Sequence, residues 1–485
     1  MTRTMHRPTS AITTITAITA AISAVVMTCA PLARAADAVP AATPTAPAAP
    51  APALPQAEVE KLLQAYALIK QNYVGQADDK KLFDGAIAGM LSSLDAHSQY
   101  MNGEDMRDLE RENSGEYVGI GIEVEVDQNR MRVVSTSGNS PAARAGIQAG
   151  DIVTAIDGVA LAGLSNSEVA RRMHGAPGTV ATVGLTHGGK ARTLRITRAP
   201  LHNATVATRM AAPGVAWIRI SEFGGATGTD LAAALRKLDG KAPPRGVVLD
   251  LRNDPGGLVG AAVSVAGAFL APDTVVFTAR GNAPGANATV TVNPRYYRQA
   301  GEADVLAGLP AWSRTVPLTV LVNGASASAA ELVAGALQDG RRATVVGTQT
   351  FGKGSIQSVI PLGEDSGIKF TVARYFTPNG HEIQAHGVTP DVVVAPSVAA
   401  DDELLLREAD LANHLPPAND TPAAASVKRE PLESTRSFGT RDDKALQAAI
   451  AQLAPGQEHG PTLAGLLHKL GAELRRGSEV AAGAP

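Results

Sequence analysis

A serine and a lysine set 25 residues apart carry the chemistry this sequence can do. Ser328 stands in Ser326-Ala327-Ser328, after the apolar run Val316–Val322 and the breaking pair Asn323-Gly324. It opens a stretch of good helix formers that ends near Asp339-Gly340. Lys353 follows a second apolar run, Ala343–Val346, in a turn between Gly352 and Gly354 and beside Phe351. A serine hydroxyl is a weak nucleophile until a base takes its proton. A lysine can be that base only where desolvation or neighbouring positive charge keeps it neutral. A helix starting at Ser328 would add positive potential and free N–H groups able to hold an oxyanion.

The same residues admit other readings. Ser328-Ala-Ala-Glu331 fits a capping box, and the local pattern alone favours that structural role. Gly347–Lys353 fits GxxxxGK, but Gly354 stands where a phosphate loop needs Ser or Thr. Ser355–Ile360 then alternates like a strand, whereas a phosphate loop opens a helix. His381, Glu382 and His386 invite a zinc reading. A spacing of five and the flanking Gly and Pro do not put both imidazoles on one helical face. Neither a metal nor a cofactor is expected.

The whole stretch, Ser326-Ala-Ser328-Ala-Ala-Glu331, Gly335-Ala-Leu337-Gln-Asp339 and Thr350-Phe351-Gly352-Lys353-Gly354-x-x-Gln357, resembles the catalytic region of the carboxyl-terminal-processing (tail-specific) serine peptidases. The resemblance implies Ser328 as nucleophile, Lys353 as general base and Gln357 as the residue that positions it. It departs at Ala330, where that family often has a second Ser.

The elements needed to hold these groups can be followed along the chain. Gly246–Asp250 reads as a buried strand, and Val259–Leu270 as a helix. Between them lies Leu251-Arg-Asn-Asp-Pro-Gly-Gly-Leu258, whose Pro-Gly-Gly turn brings bare backbone close to a ligand or is simply tight. In the resembled family it is the oxyanion loop, which implies the N–H groups of Gly257 and Ala329 as donors and Asp250 and Arg252 as braces. Trp217–Phe223 and Phe370–Phe376 read as strands, and Asp230–Leu238 as a helix. Residues 281–314 read as a surface insertion.

Upstream, Tyr117–Val126 alternates like one half-exposed strand. Ser140-Pro141 starts a helix, Gly150–Gly158 is a strand with a tight turn, and Ser165-x-x-Glu168 caps another helix. In this order they resemble a PDZ domain, residues 115–199. The resemblance implies that Gly119, Ile120, Gly121 and Ile122 form a carboxylate nest, with Val169 and Met173 on the helix that faces an added peptide strand. The family usually has Leu-Arg-Gly in this module where the chain has Met173-His174-Gly175.

Val59, Leu62, Leu63, Tyr66 and Ile69, then Phe83, Ile87, Met90, Leu91 and Leu94, recur at helical spacing and predict two packed amphipathic helices within 57–114. Asp95-Ala-His97-Ser98 reads as a helix-ending turn, because catalytic groups rarely come from sequence neighbours. The segment is similar to the same family's N-terminal part, with Ala96 replacing a proline.

Composition bounds the rest. The chain has 485 residues, net charge −3 and 18% charged residues, which suggests no nucleic-acid partner. Residues 1–36 read as a secretory leader with a basic start and Ala33-Arg34-Ala35 for cleavage. The single cysteine, Cys29, lies inside it, so the mature chain would hold no disulfide. Residues 37–56 are an Ala/Pro-rich tether. Asp401–Leu415 and Lys444–Leu453 read as helices in a helical and flexible 396–485 region.

The expectation is an α+β multidomain protein, a PDZ domain set between N-terminal helices and a mixed α/β, crotonase/ClpP-like Ser–Lys core at 200–395. It would be an endopeptidase exported to a bacterial periplasm, tethered to the inner membrane if the leader is uncleaved. It would act on protein substrates with apolar C-termini, with an adaptor protein and a homo-oligomer as further partners. The alternative is a catalytically silent scaffold that binds protein C-termini.

Overall fold

The structure is a computed structural model. It describes residues 55–453 except 115, 128–129, 137–139, 162–163, 165, 203–204, 241, 283–284, 300, 397–398, 419–430, 434 and 436–437. The leader, nearly all of the tether, Ser165 and everything after 453 fall outside them.

A six-stranded sheet organises the core, in the order Val206–Ala212, Val215–Ile220, Gly246–Asp250, Leu318–Val322, Thr344–Gly347 and Val392–Val393. Only the first pair is antiparallel. Parallel strands buried on both faces read as continuous apolar runs, as GVVLD and LTVLV do. Val247 and Leu249 enter the main core with the helices Thr227–Leu238, Val259–Phe269 and Ala329–Asp339. Val248 and Leu321 face the other way, onto Leu446 and Ala449 of the helix Lys444–Gln452. Each strand-to-loop exit at Asp250 and Val322 therefore carries its loop to the same end of the sheet, where Ser328 lies.

A second, antiparallel sheet is built on Ser366–Phe376, which pairs with Gln99–Asn102, Val275–Gly281 and Ser355–Pro361. Ala288–Thr291 extends it, and Val290, Val292 and Leu306 are buried. The stretch 281–314, expected as a surface insertion, thus contributes a strand and the buried Val290, Val292 and Leu306 to the core, while most of its other described residues stay half-buried or exposed; the buried apolar positions are single, so no run announces them.

The small β module has the sheet order Ile122–Asp127, Arg130–Thr136, Ile152–Ile156, Val180–His187, Lys190–Thr197. The single strand expected over Tyr117–Val126 is two. Glu116–Gly119 pairs with Ala199–His202, and the chain breaks at Ile120-Gly121, where Gly121 has φ 80°, before the edge strand starts at Ile122. Alternation continues through the break, so the pattern could not reveal it.

The two N-terminal helices form, Gln56–Asn72 and Asp79–Ser92. Their packing differs from expectation: the first has no buried residue, and the second buries only Leu91. Tyr66 stacks at a tilt on Phe83 with ring centres 5.3 Å apart, while Leu62, Leu63 and Met90 stay exposed. The helix expected over Asp401–Leu415 does not form. Ala399–Leu404 is a strand paired with Pro431–Glu433, and only the single 3₁₀ turn Glu408–Asp410 follows. Pairing with Pro431–Glu433, some thirty positions away, takes the segment as a strand, and a local pattern cannot announce it.

Candidate functional site

Ser328 is placed by a loop with little freedom. The Asn323 N–H donates to Ser326 Oγ at 3.0 Å, and Ser326 Oγ donates to the Leu251 carbonyl at 2.8 Å. Asn323 Oδ1 accepts from the Asn253 N–H at 3.0 Å, and the Ala327 N–H donates to the Asp254 carbonyl at 2.9 Å. The serine loop and the Pro-Gly-Gly loop are therefore one hydrogen-bonded unit. Ser328 itself has φ 52° and ψ −112°, a region a side-chain-bearing residue enters at a cost of about 1–3 kcal/mol. The helix Ala329–Asp339 begins at the next residue.

The capping box is half made. Glu331 Oε2 accepts from the Ser328 N–H at 2.8 Å, but Ser328 Oγ, fully buried, has no hydrogen-bond partner. The carboxylate does more than cap. Its Oε2 also accepts from the Lys353 N–H at 2.9 Å, and its Oε1 accepts from the Gly352 N–H at 2.7 Å and from the Thr350 hydroxyl. One carboxylate oxygen thus carries the amides of both candidate residues. Burial raises the Glu331 pKa to about 7 against the lowering effect of these donors.

Lys353 is 1% exposed. Gly352 takes φ 97°, and a Cβ at Gly354 would lie 2.2 Å from the Gln384 nitrogen, so the turn needs both glycines. Burial, helped by the nearby Lys369 ammonium, lowers the Lys353 pKa to about 8. Gln357 is buried, and its Nε2 donates to Ser355 Oγ at 2.9 Å and Thr371 Oγ1 at 3.3 Å. Its Oε1 is buried without a partner. Gln357 is therefore near in the chain but not hydrogen-bonded to Lys353, and no hydrogen bond joins Lys353 to Ser328 Oγ.

The Pro-Gly-Gly turn lies directly on the serine. A Cβ at Gly256 would be 2.8 Å from Ser328 Cβ and 2.9 Å from the Ala329 nitrogen. Phe223 uses the Gly256 carbonyl (2.9 Å) and the Leu258 N–H (2.7 Å), which leaves the Gly257 N–H out of that pairing. Neither it nor the Ala329 N–H has an acceptor among the described residues. Beneath the turn, Asp250 and Arg252 form a buried ion pair at 2.6 Å that extends to Asp443 at 2.7 Å and Glu433 at 3.3 Å. Burial works against a charged Asp250, and Arg252 more than offsets it, so its pKa is lowered. Asp254, buried with one oxygen unpartnered, is driven the other way, well above the usual carboxylate range.

In the β module, the Ile120 carbonyl accepts from the Ala142 N–H at 2.8 Å, and the Gly121 carbonyl accepts from Ser140 Oγ at 3.0 Å. These bonds fix the Gly119–Ile122 loop against the short helix Pro141–Arg144. Val169 and Met173 are buried with Ile120 and Val133 in the module's own core. Beside them lies the edge strand Ile122–Asp127, which among the described residues pairs on one side only.

Sequence reasoning missed the bridging role of Glu331. Its signal, S-x-x-E, was visible, but the sequence could not show that the lysine turn folds onto the same carboxylate.

Three family models match the chain: Peptidase family S41 over residues 214–394, a PDZ domain over 118–197 and the Activating protease CtpB N-terminal domain over 24–105. A carboxy-terminal-processing protease of Bartonella bacilliformis is 38% identical over 383 residues, covering 76% of this chain and 84% of that one. A carboxyl-terminal-processing protease of Synechocystis sp. is 35% identical over 370 residues, covering 70% and 82%. Among solved structures, a photosystem II D1 C-terminal processing protease matches at 29% identity and a TM-score of 0.40, covering 70% of this chain and 93% of that one.

Proposed function

The chain belongs to peptidase family S41 as a carboxyl-terminal-processing serine peptidase with a PDZ domain, and from that premise we propose that it cuts through a Ser328–Lys353 dyad. Neutral Lys353 takes the Ser328 proton as Oγ attacks the scissile carbonyl. The Gly257 and Ala329 N–H groups hold the resulting oxyanion. Lys353 returns the proton to the departing amine, and water then releases the acyl-enzyme by the same steps in reverse. The observation that carries this reading is the burial of Lys353, 1% exposed, in a turn whose amide shares one Glu331 oxygen with the Ser328 amide. A buried lysine is costly unless its neutral form is used.

Closure of the dyad needs the Ser328 side chain and the Lys353 amine to meet, and catalytic hydrogen bonds often tighten only with substrate bound. The vacant Gln357 Oε1 is the acceptor that would then hold the amine. The PDZ module recruits the substrate by adding its C-terminal segment to the free Ile122–Asp127 edge, with the carboxylate at the Gly119–Ile122 loop. Apolar C-termini fit this module best, an adaptor and self-association remain compatible with it, and the Ala33-Arg34-Ala35 leader directs the chain to the periplasm.

The test is casein degradation by wild type, Ser328→Ala and Lys353→Ala, with binding of a C-terminal peptide measured in parallel. Both variants are expected to lose cleavage and keep binding; activity retained in Lys353→Ala would overturn the dyad. Chains captured by Ser328→Ala would identify the substrates and their ends.

A further inference from the structure

The turn that carries Lys353 is held from two sides, and only one of them is Glu331. On the other side, the Gly354 N–H donates to Gln384 Oε1 at 2.9 Å, and Gln384 Nε2 donates to Glu408 Oε1 at 2.7 Å. The other Glu408 oxygen lies 2.8 Å from His97 Nε2. Glu408 is fully buried and the His97 side chain is 9% exposed.

These residues come from three separate parts of the chain. His97 lies in the turn after the second N-terminal helix, Gln384 in the loop after the long Ser366–Phe376 strand, and Glu408 in a strap beyond the S41 match. The start of the strap lies on the segment that leads into the lysine turn. The Glu408 N–H donates to the Phe351 carbonyl at 3.2 Å, and Arg407 Nη2 donates to the carbonyls of Thr350 and, at 3.3 Å, His386. Further on, the Leu415 carbonyl accepts from Gln384 Nε2 at 2.9 Å, and the Asn413 carbonyl accepts from the Ala96 N–H at 2.9 Å.

We propose that Glu408 is a second positioning carboxylate for Lys353: through Gln384 it fixes the Gly354 amide, and through His97 it ties that fixation to the seating of the 95–98 turn. The inference rests on Lys353 being the general base. A buried carboxylate is expensive where an apolar contact would staple the same segments. Here it directs its two oxygens at two different donors, one of which leads in a single step to the lysine turn. A base displaced by a fraction of an ångström loses rate without losing substrate affinity.

The charged groups that bear on the Lys353 amine are Lys369, Glu408, Glu331 and Asp95, and of these Glu408 is the largest that favours its protonated form. Removing that charge while keeping the shape gives a readout that a staple does not.

The experiment uses the full chain, a peptide substrate and titration of active sites, with Lys353→Ala as reference. Glu408→Leu and His97→Leu are expected to lower kcat per active site by about tenfold or more with KM little changed. His97→Gln, which keeps a donor for Glu408, recovers most of the loss. Glu408→Gln moves the acidic limb of the pH profile of kcat/KM to lower pH. A staple would lower the number of active sites and leave kcat per site and the limb where they are, and that result would overturn the inference. Should the leucine variants not fold, Glu408→Gln decides it alone, an unmoved limb overturning the inference. Cleavage by Lys353→Ala would instead overturn the reading beneath it.

Discussion

In the PDZ domain the groups that the proposed reading offers to a ligand are backbone, the edge of Ile122–Asp127 and the Gly119–Ile122 loop, while Val169 and Met173 fill its core. In the peptidase core the groups proposed to act are side chains taken out of water: Ser328 and Lys353 are buried, and Glu331, Asp254 and Glu408 with them. The two regions therefore fail differently. Strand addition tolerates side-chain change and is sensitive to backbone geometry. A buried dyad is sensitive to single atoms, because low polarity magnifies each lost partner.

The sharpest separation comes from Lys353→Ala. Cleavage should fall by roughly 10³-fold or more, as for loss of a nucleophile's base, with peptide binding by the PDZ domain unchanged by titration calorimetry. Gly257→Ala comes next. Gly257 has φ 143°, and a Cβ there would lie 2.3 Å from the Phe223 carbonyl oxygen, so the oxyanion loop must shift. A loss of about 10²-fold in kcat is expected. A smaller loss in single-turnover assays would place the oxyanion donors elsewhere.

The pH profile carries the third prediction. With Lys353 as the proposed base it acts in its neutral form, so kcat/KM should rise with pH and reach half its plateau near pH 8. Glu331, raised to about 7, takes a proton as pH falls further and loosens its hold on both amides, so the decline below 7 should steepen beyond one proton. The same burial has a stability cost. The folded Lys353 pKa lies below its unfolded value of 10.5, so the unfolded chain binds more protons between about 8 and 10.5, and stability rises with pH there. Lys353→Met should therefore be more stable than wild type at pH 7, by an amount on the order of 3 kcal/mol, and melt at a higher temperature. An unchanged or lowered melting temperature would mean that the ammonium is satisfied where it lies.

The smallest effect belongs to the PDZ domain. Gly121→Val places a Cβ 2.3 Å from Ser140 Cβ at φ 80° and should distort the carboxylate loop. KM for a peptide with a free tail should rise several-fold, and cleavage of a tail-blocked peptide should not change. A fall in kcat on both peptides would break the comparison, since the domain would then be acting on the dyad itself.

Long apolar runs made the core readable. Gly246–Asp250 forms as expected, and the strand and helix on either side of Ser328 differ from expectation only at their ends. The turn of Lys353 was readable from its glycines. What the sequence hid were contacts between distant segments: Glu408 and His97 are 311 positions apart, and Arg252 meets Asp443 across 191. The strap 405–416 lies in a segment whose pattern reads as helix, yet its hydrogen bonds go to other loops, which no local pattern announces. The exposed apolar stripe of Gln56–Asn72 is the opposite case, a periodicity that was right about the helix and silent about its partner.

Ser328 sits where glycine would be at ease. At φ 52° a β-carbon is a burden. An inert protein made by Ser328→Gly should therefore relax and outlast one made by Ser328→Ala, which keeps the strained torsion. For holding a substrate uncut during purification, the glycine form is the better reagent, and the extra stability it gains would measure what the enzyme spends to keep a hydroxyl at that corner.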